Sequence, residues 1–200
     1  MNEIANSLQH TLKVEAASIA AMAERLDIAA AEKIVALFLE RKGKVFVTGC
    51  GTSAAAAKKI AHTLSCVERP ACFLSPADAV HGGLGVVQKE DVVVIISKGG
   101  KTPELTSLVA PCKEKGAATV ALTENPDSDL GRQCDYTLRI WVDKEPDPFN
   151  MLATASTLAV IAVMDAIAVC VMQANGFTKE KFALIHPGGA VGDRLLNKKA

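Results

Sequence analysis

Short apolar runs alternate with helix-patterned stretches through most of this chain, and that alternation restricts the fold more than any other feature. Val45 to Thr48, Ala71 to Leu74, Val92 to Ile96, Ala118 to Thr123 and Tyr136 to Val142 read as strands. Ser53 to Ser65, Thr102 to Lys115 and Leu130 to Cys134 read as helices, and Ala77 to Gly83 as a short helix or loop. The runs are apolar almost throughout rather than alternating, the pattern of strands covered on both faces. Repetition of strand, helix and strand then predicts an α/β fold: a three-layer α/β/α sandwich around a central parallel sheet. Two helices precede the alternation, at about Ile4 to Leu26 and Ile28 to Arg41. In the second, Ile34, Leu37 and Phe38 recur at i, i+3 and i+4, and Gly43 reads as its stop. A long helix, Ser156 to Asn175, ends at Gly176, and the tail after Gly192 reads as a short frayed helix. The 200 residues suit one domain, and the low aromatic content, 4%, suits close helix-on-sheet packing.

Ligands in such sheets bind beyond the carboxyl ends of the strands. Two glycine turns lie there. The first reads Thr48-Gly49-Cys50-Gly51-Thr52-Ser53, and the second reads Ser97-Lys98-Gly99-Gly100-Lys101-Thr102-Pro103-Glu104. Glycine lets the backbone approach a ligand closely. A helix N-terminus adds unpaired N–H groups and partial positive charge, and Ser and Thr add hydroxyl donors. The combination is an anion site, with phosphate its usual occupant. Gly51, Thr52, Ser53, Ser97, Lys98, Gly99, Gly100, Lys101 and Thr102 are therefore candidates for gripping one phosphorylated small molecule from two sides. Both hydroxyls of the second turn also suit simple helix caps.

Other classes fit less well. Lys+Arg and Asp+Glu are equal at 22 each, so nothing electrostatic argues for nucleic acid or an anionic membrane as partner. The six cysteines are scattered singly, with no C-x-x-C pair and no cluster of histidines, against a zinc site or disulfide framework and in favour of a reducing, cytoplasmic setting. The most apolar stretch, Leu152 to Met172, is interrupted by Thr154, Ser156, Thr157 and Asp165, and reads as a buried helix rather than a membrane span. Gly49 to Ala54 also fits the dinucleotide fingerprint G-x-G-x-x-[GA]. That fingerprint wants an acid at the end of the second strand, yet Glu68 precedes the strand and Asp78 comes well after it.

Taken with His186-Pro187-Gly188-Gly189-Ala190-Val191-Gly192, the two turns resemble the SIS (sugar isomerase) domain, flavodoxin-like in fold, and most of all its arabinose 5-phosphate isomerase branch. Pro76 to Gly85, Lys144-Glu145, Ala153 to Thr157 and Asn175-Gly176-Phe177 agree, so the resemblance runs from about Leu8 to Leu196. It implies a single domain over 1–200: N-terminal helices over 1–42, an α/β core over 43–175, and an active-site tail over 176–200. It implies an aldose–ketose isomerase of phosphosugars that needs no cofactor or metal. On this resemblance Ser53, Ser97 and Thr102 hold the phosphate and His81 contacts substrate. The acid/base residues fall on Glu104, Glu145 and His186, with His186 serving a neighbouring subunit of a homodimer or homotetramer. The branch has lysine where this chain has Thr52, and Gly-Cys-Gly-Thr-Ser is instead similar to aminosugar-isomerising SIS proteins. The branch's S-x-S-G reads Ser97-Lys98-Gly99-Gly100, where Lys98 or Lys101 offers charge in place of a hydroxyl. Its sugar-bordering loop reads Pro146 to Thr154, which adds Thr154 to the substrate contacts. Family members usually continue into CBS modules, and on this reading that regulation is absent.

Taken alone, several of these residues have plainer readings. Glu104 suits the first turn of any helix, Glu145 stands in a charged run, His62 reads as structural, and Cys50 as a small packed residue. The rival to an isomerase is a non-catalytic phosphosugar sensor, which would need none of Glu104, Glu145 and His186.

Overall fold

A computed structural model describes residues 2–188. Helix α1 (Asn2–Arg25) and helix α2 (Ile28–Glu40) lead the chain, as the periodicity predicts. Asp27 caps α2, its carboxylate accepting from the Ala30 amide at 3.0 Å. Gly43 does not stop this helix: the capping residue is Arg41, in extended conformation. The glycine answers a different need, because a Cβ at Gly43 would lie 2.3 Å from the Asp91 carboxylate and 2.4 Å from the Glu90 carbonyl.

Five strands follow: β1 (Val45–Gly49), β2 (Ala71–Phe73), β3 (Val92–Ile96), β4 (Ala118–Thr123) and β5 (Tyr136–Arg139). All pairings are parallel, in the order β2-β1-β3-β4-β5. Helix α3 (Thr52–Ser65) and the long helix α8 (Ala155–Ala174) join α1 and α2 on one face. Helices α4 (Pro76–Ala79), α5 (Pro103–Thr106), α6 (Val109–Glu114) and α7 (Asp129–Gln133) cover the other. Val45, Val47, Val92, Val94 and Ile96 face the first layer, while Phe46, Val93 and Ile95 face the second. Strands so placed must be apolar at every position, which is why they do not alternate.

Three elements differ from the sequence reading. The helix expected over Thr102 to Lys115 is two pieces, α5 and α6. Pro111 has no N–H, and its ring collides with the carbonyl four residues back, so an unbroken helix is excluded there. The last strand ends at Arg139 rather than Val142, because its one neighbour, β4, pairs no further than Thr123 with Arg139. A ninth helix, α9 (Lys179–Ile185), follows α8 and was not foreseen. Gly176 does close α8: its amide bonds Gln173 at 3.2 Å and the Phe177 amide bonds Met172 at 3.1 Å, a Schellman closure. The tail expected after Gly192 lies outside the described residues. By length and composition α8, with a mean hydropathy of 2.2, is able to cross a membrane. Here it packs on α3, α1 and α2, and its Asp165 pairs with Lys59 of α3.

Candidate active site

β1 and β3 are neighbours, with Gly49 in register with Ile96. From there the chain departs to opposite sides, β1 leading to β2 and β3 to β4. The divergence opens a crevice at the two carboxyl ends, and both glycine turns border it.

In the first turn Gly51 has φ 57° and ψ −128°, backbone nearly closed to residues with a Cβ. Among the described residues the Thr52 and Ser53 amides that follow it have no acceptor. Behind them α3 runs for 14 residues, enough for its dipole to favour an anion. The second turn relies on different means. Helix α5 spans 4 residues, too few for a sizeable dipole, so amides and hydroxyls must do the binding. Gly99, Lys101 and Thr102 have amides without acceptors among the described residues. Gly100 has φ 65°, and a Cβ on it would lie 1.9 Å from Ser128 Oγ. Its carbonyl accepts from Leu130 at 3.0 Å, which seats the turn on the start of α7. Thr102 makes no cap with its side chain. Its hydroxyl lies 3.1 Å from that of Ser97, which is buried.

Ser97 and Lys98 continue the alternation of β3 past its end. Ser97 turns toward α5, and Lys98 toward α3 and α8. On that second side lies a cavity of about 90 Å³, whose polar lining is Thr52, Ser53, Lys98, Thr123, Ser156 and Thr157. The structure therefore places Ser53 and Lys98 along one side of the crevice, and the Ser97–Thr102 hydroxyl pair along the other.

Glu145 is not on a solvated loop. It is 2% exposed. Its carboxylate accepts from the Ser156 hydroxyl, from the Thr154 and Ser156 amides at 3.1 and 3.3 Å, and from Lys98 Nζ at 3.0 Å. Burial alone pushes its pKa up, but the Ser156 hydroxyl, Lys98 and the Thr154 amide together hold it below the usual carboxylate range. It is a fixed anion at the N-terminus of α8. Asn150 supports it by accepting from the Glu145 amide at 2.6 Å. Nothing in the sequence points to Ser156 or Asn150 as partners of Glu145: one opens a helix, the other sits mid-loop, and no spacing marks either. The Thr154 hydroxyl is buried without a partner among the described residues.

Glu104 is exposed in the single turn of α5. Burial first, then the Glu104 charge, raises the Cys50 thiol above its ordinary pKa. A raised pKa keeps that thiol neutral at pH 7, a packed side chain rather than a nucleophile. Gly99 and Lys101 are also exposed at the rim. His81 is exposed just past α4, beyond the carboxyl end of β2.

His186 lies elsewhere. Its ring stacks on Phe182, with centroids 4.2 Å apart, and its Nδ1 is 3.1 Å from the Phe182 carbonyl. Lys181 of the same helix pairs with Glu68 at 3.4 Å. Glu68 follows the far end of α3, a helix about 21 Å long at the usual rise for its 14 residues. The chain does not bring His186 to its own glycine turns.

A crevice at the switch point of a five-stranded parallel sheet, with two glycine turns and acidic side chains beside it, makes a candidate site for a small anion. The SIS domain family model matches residues 38–170, and the chain belongs to that family. It is 40% identical to the arabinose 5-phosphate isomerase GutQ of Salmonella typhi over 194 residues, 96% of this chain and 60% of that protein. It is 41% identical to the arabinose 5-phosphate isomerase KdsD of Pseudomonas aeruginosa over 166 residues, 83% of this chain and 51% of that protein. The chain thus spans between half and about 60% of the length of these curated relatives. A crystal structure from Listeria monocytogenes, described as a candidate sugar-phosphate isomerase, superposes with a TM-score of 0.90 at 51% identity, covering 92% of this chain and 97% of that one. An Escherichia coli CFT073 protein solved in complex with A5P superposes with a TM-score of 0.89 at 28% identity, covering 93% of this chain and 98% of that one.

Proposed function

We propose that this protein is a phosphosugar aldose–ketose isomerase of the arabinose 5-phosphate type. The observation that carries the reading is the crevice itself, bordered by amides of both turns without acceptors among the described residues and by the Ser53, Ser97 and Thr102 hydroxyls, with Glu104 exposed in the turn of α5. Ser53, Ser97 and Thr102 hold the phosphate, with the exposed amides of both turns. His81 and Thr154 border the sugar. Holding the sugar by its phosphate makes the proton transfer effectively intramolecular. Glu104 is the base: an exposed carboxylate that moves a proton between C2 and C1 through an enediol. His186 opens the ring or protonates oxygen, and acts from a neighbouring subunit of a homodimer or homotetramer. The protein is cytoplasmic on this reading, in keeping with its six free thiols.

One observation favours the rival sensor. Thr52 stands where the isomerase branch carries lysine, which leaves Lys98 as the cation on the cavity lining among the described residues. Incubation with a panel of aldopentose and aldohexose phosphates, arabinose 5-phosphate included, separates the two. Ketose phosphate formation supports the isomerase, and saturable binding without product supports the sensor.

A further inference from the structure

Lys98 is held at both ends. Its carbonyl accepts from the Glu124 amide at 3.0 Å and the Thr123 hydroxyl at 2.9 Å, so its backbone is fixed to the end of β4. Its ammonium lies 3.0 Å from Glu145, and Glu145 is itself immobilised at the start of α8. An exposed lysine pair is ordinarily loose and worth little. This one has a buried, rigid carboxylate as its partner, while the lysine side chain remains 44% exposed on the cavity side. An ammonium carries three donors. Those not given to Glu145 face the opening that Thr52, Ser53 and Thr157 share with it. Strand alternation sets this charge apart from the Ser97–Thr102 hydroxyl pair, on the side of the crevice that Thr52, Ser53 and Thr157 line.

We propose that Lys98 is the electrophile of this site, donating to the oxygen of the substrate's reacting carbonyl, and that Glu145 is the positioning residue that aims it. The inference rests on the isomerase reading. The Glu104 carboxylate takes the C2 proton, and the C–H electron pair becomes the C1=C2 bond. The C1=O π pair moves onto O1, where the Lys98 N–H stabilises the charge. The O2 proton then passes to O1, and the Glu104 carboxylic acid returns its proton to C1, so nothing is gained or lost. Thr52 brings no charge to this crevice, and Lys98 supplies what an enediolate needs. A buried anion already saturated with donors is a poor proton acceptor, and Glu145 fits the aiming role better than the base role.

The test is a double-mutant cycle on turnover of arabinose 5-phosphate, with binding of inorganic phosphate measured in parallel. Lys98→Met should lower kcat by roughly two orders of magnitude, the usual scale for one oxyanion donor, and leave phosphate affinity within about threefold of wild type, since Ser53, Ser97 and Thr102 hold the phosphate. Lys98→Arg keeps the ion pair and should recover part of kcat. Glu145→Gln should fall as Lys98→Met does, and the double variant, which leaves no unpaired buried charge, no further than either single. Additive losses would make Glu145 an independent proton acceptor and overturn the aiming role. A loss confined to phosphate affinity would make Lys98 a phosphate ligand and overturn the electrophile role. Wild-type protein that turns over no phosphosugar overturns the isomerase reading and this inference together, whereas active wild type with unimpaired Lys98→Met overturns this inference alone.

Discussion

Burying the Glu145 carboxylate is costly by itself, and the Ser156 hydroxyl, two backbone amides and the Lys98 ammonium outweigh that cost. Because its folded pKa lies below the ordinary Glu value of about 4.3, the stabilisation is full above that value and is lost as pH falls through the folded one. Asp135, held low by Lys113 and the Thr119 amide against its own burial, acts with the same sign. Urea unfolding midpoints should therefore decline between about pH 5 and pH 3. Glu145→Gln should have a lower midpoint at pH 7 and a shallower decline, with Asp135 supplying what remains. An equal decline in the variant would mean that Glu145 has no depressed pKa. Gly100 makes a second residue-scale prediction. Alanine there meets both φ 65° and a contact of 1.9 Å to Ser128 Oγ. Gly100→Ala should cost about 2 kcal/mol or more in urea melts, from backbone strain plus displacement of the start of α7. A change below about 0.5 kcal/mol would show that the turn is not held on α7.

Among the elements, the sheet was legible because a strand buried on both faces leaves a plain mark: Val92 to Ile96 is apolar at every position and fully buried. The boundaries that moved did so for tertiary reasons. Val142 extends the β pattern of its run, yet no partner strand remains beyond Thr123. Helix α9 is short, and its cap, Thr178 accepting from the Lys181 amide at 3.3 Å, lacks the acidic third residue of a capping box. At the site, the glycine turns were readable from composition and order alone. The Glu145 cluster was not, since Lys98, Glu145 and Ser156 converge only once the fold brings the residue after β3, the loop holding Glu145 and the first turn of α8 together. Helix α9 also determines where His186 can act. Lys181 pairs with Glu68 past the far end of α3, away from the crevice of the same chain. His186→Ala should leave phosphosugar affinity within about threefold while lowering kcat by roughly two or more orders of magnitude. Full turnover by this variant would make the histidine a purely structural partner of Phe182.

For the whole molecule, apolar surface is left over. Ile4, Leu8 and Leu12 are exposed along one stripe of α1, and Phe149, Met151 and Leu152 are exposed in the loop before α8. An apolar groove of about 480 Å³ runs between α2 and α8, lined by residues such as Ile28, Val35 and Val163. Surfaces of this kind mark association, and a second copy would also carry His186 to the crevice. Light scattering at micromolar concentration should give at least a dimer, and a monomer would contradict the shared-site account. Mixing Glu104→Ala and His186→Ala subunits should restore turnover that neither has alone, and no recovery would place both residues in one chain's site.

The central claim is that Glu104 moves a proton between the first two carbons of a phosphosugar held in the crevice. Proton NMR in deuterium oxide with arabinose 5-phosphate tests it most directly. Wild-type protein should form the corresponding ketose phosphate with solvent deuterium at C1. Glu104→Gln should bind the same sugar phosphate and incorporate deuterium at least about a hundredfold more slowly. Saturable binding with neither ketose nor deuterium incorporation by the wild type would contradict the account and make the protein a sensor.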